Sequence, residues 1–131
     1  MNRILPDTNA YSHLLTGDQK VLNALKDAQI VYMSVFVIGE LAAGFKGGSK
    51  EAENQKNLKK FLAKPGVRIL NATKKTADIF GTVKNALKKA GTPLPINDVW
   101  IAAHAIETDS VLITYDGHFK KIEGVQLWEY L

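Results

Sequence analysis

Five short β-type runs, separated by longer segments of helical periodicity, leave this chain few folds to choose from. Ile4-Leu5, Ile30–Met33, Val67–Leu70, Ser110–Thr114 and Val125–Trp128 read as strands. Helical patterns occupy 18–28, 35–45, 50–63, 74–90 and 98–108. Strands that alternate with helices do not pair as tight hairpins, because each connection crosses a face of the sheet before the next strand begins. The expectation is an α/β architecture, a mostly parallel sheet of about five strands with helices on both faces. With 131 residues, no internal repeat and no long linker, one domain accommodates the whole alternation.

The helical faces support this reading. In 74–90, Ile79, Phe80, Val83, Ala86, Leu87 and Ala90 recur at helical spacing, with Lys75, Lys84, Lys88 and Lys89 elsewhere. In 50–63 the apolar stripe is thin (Leu58, Phe61, Leu62), and Lys56, Lys60 and Lys64 repeat every fourth residue. Ser34 is placed to cap the helix at 35–45, Ser49 the helix at 50–63 and Asn97 the helix at 98–108. Proline lacks a ladder donor, so Pro6 is tolerable only at the end of its strand.

Charge is distributed unevenly. Between Lys46 and Lys89, eleven lysines and Arg68 face Glu51, Glu53 and Asp78, a net +9 within a chain of net +4. A basic middle between acidic ends suits a polyanionic partner, and a lysine-rich solvated surface explains it equally well. With two arginines in the chain, phosphate contacts would rest on lysine point charges. The chain has no cysteine, which excludes disulfides, thiolate zinc sites and a cysteine nucleophile. Pro6 and Asp7 interrupt the first apolar run before a signal-peptide core forms, and no run approaches the roughly 20 residues of a spanning helix. The expectation is a cytoplasmic protein with no membrane attachment.

Four carboxylates stand in places that ask for a reason. Asp7 follows the first strand in Pro6-Asp7-Thr8-Asn9, where a helix cap is the simpler explanation. Glu40, in Ile38-Gly39-Glu40-Leu41, shares a helical face with Phe36, Val37, Ala43 and Gly44, a stripe on which a buried unpaired acid costs several kcal/mol. Asp98 follows Asn97 and shares a face with Ile101, Ala102 and Ala105. Asp116 follows the fourth strand in Thr114-Tyr115-Asp116-Gly117-His118-Phe119, a sequence that also makes an ordinary turn. In an open parallel sheet such positions converge on one crevice at the topological switch point. Acids gathered there repel one another, and a hard divalent cation with oxygen ligands, Mg²⁺ or Mn²⁺, relieves the conflict.

These four segments, in this order along the whole chain, resemble the PIN-domain nucleases, and the length is similar to that of their VapC-type toxins. The resemblance implies a single PIN-like domain over 1–131 with a three-layer α/β/α fold. It implies Mg²⁺- or Mn²⁺-dependent endoribonuclease activity on structured RNA, such as tRNA or ribosomal RNA. It also implies Asp7, Glu40, Asp98 and Asp116 as the active site, a homodimer, and a cognate antitoxin protein that neutralises the toxin. Two positions depart from the family pattern: His118 stands where many members carry a further acid, and Pro6 replaces a strand aliphatic. In the resulting scheme Asp7 and Asp98 ligate the ion, with Glu40 and Asp116 completing the site directly or through water. Thr8, Asn9 and Thr114 hold the carboxylates in place. Lys46, Lys50, Lys56, Lys60 and His118 are the candidate substrate contacts, while His104 and the two tryptophans read as packing residues.

Two other readings use the same residues. A phosphoaspartyl phosphatase with Asp7 as nucleophile would want a second acid at the position of Asn9. A catalytically inactive RNA- or protein-binding module would use the acidic cleft to hold a basic partner peptide.

Overall fold

The structure, a computed structural model, describes residues 2–131. Its five strands are β1 (Arg3–Pro6), β2 (Ile30–Ser34), β3 (Val67–Leu70), β4 (Val111–Ile113) and β5 (Gln126–Leu127). They form one sheet in the order β3-β2-β1-β4-β5, and every neighbouring pair is parallel. Six α-helices connect and flank them: α1 (Thr8–Leu15), α2 (Gln19–Asp27), α3 (Val35–Phe45), α4 (Glu51–Leu62), α5 (Lys74–Ala90) and α6 (Ile96–Glu107). This is the three-layer α/β/α arrangement the alternation implies. The sheet is parallel throughout, and α1 joins the expected helices.

Adjacent residues of the central strand serve opposite layers, because successive strand side chains point to opposite faces. Ile4 packs with Val21, Ala24, Val31, Ile113 and Trp128 on the side covered by α1 and α2. Leu5 packs with Met33, Val37, Leu87, Val99, Ala102 and Leu112 on the side covered by α3, α5 and α6. Such double burial is why β1 reads as a short unbroken apolar run. Pro6 ends the strand where its missing N–H does least harm. Pairing with β2 stops at Ile4 opposite Val31, and on the other side the Asp7 N–H continues the ladder to the Ile113 carbonyl at 3.0 Å.

Capping follows the sequence at some helices and departs from it at others. The Ser34 hydroxyl accepts from the Phe36 N–H at 3.1 Å and starts α3 directly off β2. Thr73 caps α5, and Gly91 ends it with φ 71°, the left-handed conformation that glycine adopts without strain. Ser49 does not cap α4. Lys50 takes that position without a side-chain bond, and the Glu51 carboxylate instead accepts from the Gly47 N–H. Nor does Asn97 cap α6: the helix begins at Ile96, two residues earlier than expected, behind Pro95, and Asn97 falls in its first turn. Proline already fixes the backbone there, so no side-chain cap is needed to turn the chain.

The two tryptophans are structural. Trp100 stacks between Phe36 and Phe80, with centroids 4.9 and 3.8 Å away, and Trp128 is buried with its indole N–H donating to the Thr114 carbonyl. His104 is fully buried, with Nδ1 2.8 Å from the Ser34 hydroxyl and Nε2 3.3 Å from the Asn71 carbonyl. Burial holds its pKa below the ordinary histidine value. The neutral ring therefore carries its proton on Nε2 and accepts from Ser34. Among the described residues no helix is long and apolar enough to cross a membrane.

Candidate active site

The strand order reverses at β1: β2 and β3 extend the sheet to one side, β4 and β5 to the other. Crossovers therefore leave the sheet in opposite directions beyond the carboxyl ends of β1 and β4, and a crevice opens between them. Asp7 follows β1 directly and Asp116 follows β4 by three residues. Glu40 reaches in from α3, which leaves β2, and Asp98 from the first turn of α6. All four acids line one cleft of about 280 Å³, with Thr8, Asn9, Pro95 and Asn97 completing its wall. The expected convergence is present.

Each acid is held by its own local device. Asp7 caps α1, its Oδ1 accepting from the Ala10 N–H at 2.8 Å, and its Oδ2 accepts from the Thr114 hydroxyl at 2.6 Å. The Thr114 hydroxyl in turn accepts from the Asp116 N–H at 3.0 Å, so one β4-end side chain ties two of the acids together. From the first residue of α1, Thr8 donates to Glu40 Oε1 at 2.6 Å, bridging α1 to α3. Asp116 caps a short 3₁₀ turn, Gly117–Lys121, and its Oδ1 accepts from the His118 N–H at 3.1 Å. Asn9 lines the cleft without a hydrogen bond to any of the four acids among the described residues.

The electrostatics show that these groups sense one another. Burial pushes the Asp7 carboxyl above its ordinary range, the bonds from Thr114 and Ala10 pull it back, and the charges of Asp98 and Asp116 push it further up. Burial likewise raises Asp98, where His118 lowers it and Glu40 and Asp116 raise it. Among the described residues no lysine or arginine pairs with any of the four. The basic group at the site is His118, with Nε2 2.9 Å from Asp98 Oδ2 and Nδ1 3.0 Å from Asp116 Oδ1. Nε2 is buried, and its contact with Asp98 is an ion pair rather than a hydrogen bond of ordinary geometry. Asp98, Asp116 and His118 each offer a donor atom within 4.8 Å of the others. An acid-rich cleft in which, among the described residues, no lysine or arginine faces the four acids and one imidazole lies against two of them is a donor set that fits a divalent cation.

The lysines do not join this group. Lys46 is largely exposed and pairs with Glu51 at 3.5 Å, and Lys50, Lys56 and Lys60 are exposed on the α3–α4 connection and on α4. None of them lines the cleft. What the residue pattern did not disclose is Pro95 in the wall and the imidazole seated between two acids. The Asp116-Gly117-His118 spacing is the signal for the latter, because a tight 3₁₀ turn folds residue i+2 back over its cap.

A family model for the PIN domain matches residues 4–125. This chain belongs to the PIN domain family. It is 29% identical over 128 residues to Ribonuclease VapC1 of Haemophilus influenzae (strain 86-028NP), covering 94% of this chain and 93% of that protein. Its backbone matches a chain in the crystal structure of VapBC2 from Rickettsia felis bound to a DNA fragment from their promoter. There the TM-score is 0.86 and the identity 26%, over 96% of this chain and 97% of the other. It also matches a chain of VapBC-1 from nontypeable Haemophilus influenzae with TM-score 0.83 and 25% identity, over 98% of both. In this PIN domain the matched span includes all four acids of the cleft.

Proposed function

We propose that this PIN domain is a Mg²⁺- or Mn²⁺-dependent endoribonuclease that hydrolyses phosphodiester bonds of structured RNA, tRNA or ribosomal RNA. In this reading it acts in the cytoplasm as the toxin of a toxin–antitoxin pair, as a homodimer neutralised by a cognate antitoxin protein. The observation that carries it is the cleft at the strand-order reversal, where four acids meet and, among the described residues, none pairs with lysine or arginine. Support comes from relatives named as VapC ribonucleases and from matched chains solved as VapBC assemblies.

Asp7 and Asp98 would hold the cation, with Glu40 and Asp116 completing its shell directly or through water. When bound, the ion supplies Lewis-acid stabilisation of the phosphorane charge and a more acidic water. The chain's own groups do the positioning. Thr114 fixes the Asp7 carboxylate and Thr8 fixes Glu40, so neither acid must be ordered when substrate arrives. Thr8 occupies Glu40 Oε1, which leaves Oε2 to orient an attacking water and accept its proton. Phosphate attraction falls to lysines outside the cleft, with Lys46, Lys50, Lys56 and Lys60 as the candidates.

The test is cutting of structured RNA by purified protein with Mg²⁺ or Mn²⁺, its loss with EDTA, and its loss in folded Asp7→Asn and Asp98→Asn variants. Undiminished cutting in both variants would refute the site. If wild type cuts no RNA in any metal, the acidic cleft is a binding site for a basic partner.

A further inference from the structure

We propose that His118 is a metal ligand of this cleft and makes it selective for borderline cations such as Mn²⁺ over Mg²⁺. The proposal rests on the metal-dependent reading above and adds a nitrogen donor to a site otherwise built from oxygens. Three observations converge on the imidazole. Its Nε2 is buried 2.9 Å from Asp98 Oδ2, one of the acids that line the cleft, without a hydrogen bond of ordinary geometry. Asp98, Asp116 and His118 each present a donor atom within 4.8 Å of the other two, close enough to share one ion. Finally, the ring is held from its far side. Asp116 Oδ1 lies 3.0 Å from Nδ1 and also accepts from the His118 backbone N–H, and the neighbouring Phe119 is buried.

That arrangement puts a carboxylate beside one nitrogen of a histidine whose other nitrogen would face the ion; a carboxylate in that position favours the tautomer that ligates and raises ligand basicity. Asp116 Oδ1 then lies beside the ring, and Asp98, Asp116 and His118 would supply the donors nearest the cation. Imidazole suits first-row transition metals, whereas Mg²⁺ prefers oxygen and gives up its waters reluctantly. An oxygen donor at 118 should therefore erase the preference without emptying the site.

The experiment compares metal-free wild type, His118→Ala and His118→Asp by calorimetric titration with Mn²⁺ and with Mg²⁺. It adds the ring ¹⁵N resonances of the histidines during titration with Zn²⁺, a diamagnetic probe. The expected result is that His118→Ala weakens Mn²⁺ binding about tenfold or more and Mg²⁺ binding much less. His118→Asp should bring the two ions closer to parity, and Zn²⁺ should shift His118 Nε2 while the buried ring of His104 stays put. If Mn²⁺ binds wild type and both variants equally and the His118 ring does not shift, the imidazole is only an electrostatic partner of the acids. That outcome overturns the proposal and leaves a metal site of carboxylates intact. If none of these ions binds wild type, the metal-dependent reading itself fails, and this inference falls with it.

Discussion

Asp7 has two jobs that substitution can separate, and the size of the effect follows from its contacts. The residue is 6% exposed, caps α1 through the Ala10 N–H and accepts from the fully buried Thr114 hydroxyl. Asp7→Asn removes the charge but keeps an oxygen for Ala10 and a polar partner for Thr114. Asp7→Ala removes the charge and both contacts. Losing a cap costs about 1 kcal/mol, and losing a buried hydrogen bond about 1 kcal/mol more. Charge relief is common to both variants, so it cancels when they are compared. The alanine variant should therefore be about 2 kcal/mol less stable than the asparagine variant, roughly 8 °C in Tm for a domain of this size. Both should lose metal-dependent RNA cutting. The charge term can be read separately, from asparagine against wild type without metal. Asp7 has a folded pKa above its unfolded value of 3.8, so as pH rises the unfolded chain releases its proton first and wild type loses stability. The melting-temperature advantage of Asp7→Asn should consequently grow from about pH 4 to neutrality, and saturating Mn²⁺ should reverse it by binding only wild type. The assay is thermal unfolding in EDTA and in Mn²⁺ across that range. Equal melting temperatures for the asparagine and alanine variants, or an asparagine advantage that does not depend on pH, would refute this account of the site.

Three other perturbations test the surrounding scaffold. Thr8→Val removes the hydroxyl that holds Glu40 and should lower kcat about tenfold with little change in Tm, read from single-turnover cleavage and a melt. His104→Leu should cost about 1–3 kcal/mol, because it strands the Asn71 carbonyl and the buried Ser34 hydroxyl; His104→Gln should recover part of this in denaturant unfolding. Gly91→Ala should cost about 1 kcal/mol, since φ 71° is a left-handed conformation that a β-carbon resists, and cutting should be unchanged.

The layers of this fold were legible because β1 and α6 are so thoroughly buried. A parallel strand covered on both faces must read as an unbroken apolar run, and Ile4 and Leu5 do so because each feeds a different layer. The helices at 35–45 and 74–90 have the bounds the periodicity gives, since Ser34 and Gly91 mark the ends in chemical terms. Helix starts that lack a side-chain cap were not legible. Ser49 and Asn97 have the right chemistry, yet chain direction at α4 and α6 is set by the Lys46–Lys50 turn and by Pro95, and local composition does not rank those alternatives. The four acids could be chosen because three of them follow strand ends or begin a buried helix. The seat of His118 could not, since it depends on how tightly the turn after Asp116 closes.

The way each carboxylate is shared between scaffold and cleft gives the site its asymmetry. Both oxygens of Asp7 accept from the fold, so its position is fixed most rigidly and its burial is deepest. Glu40 is tethered through Oε1 alone, Asp116 through Oδ1 alone, and Asp98 touches His118 through Oδ2 alone. One oxygen of each of these three is thus left to the cleft. Placing the rigid acid at the end of the central strand and the half-tethered ones around it lets the sheet define where a cation would sit, while the helices adjust. Disruption at Asp7 should therefore reach the fold through α1, and disruption at Glu40, which caps nothing, should remain confined to chemistry. Matching losses of stability on Asp7→Ala and Glu40→Ala would contradict that division, because only the first of these acids carries a helix cap and a buried partner together.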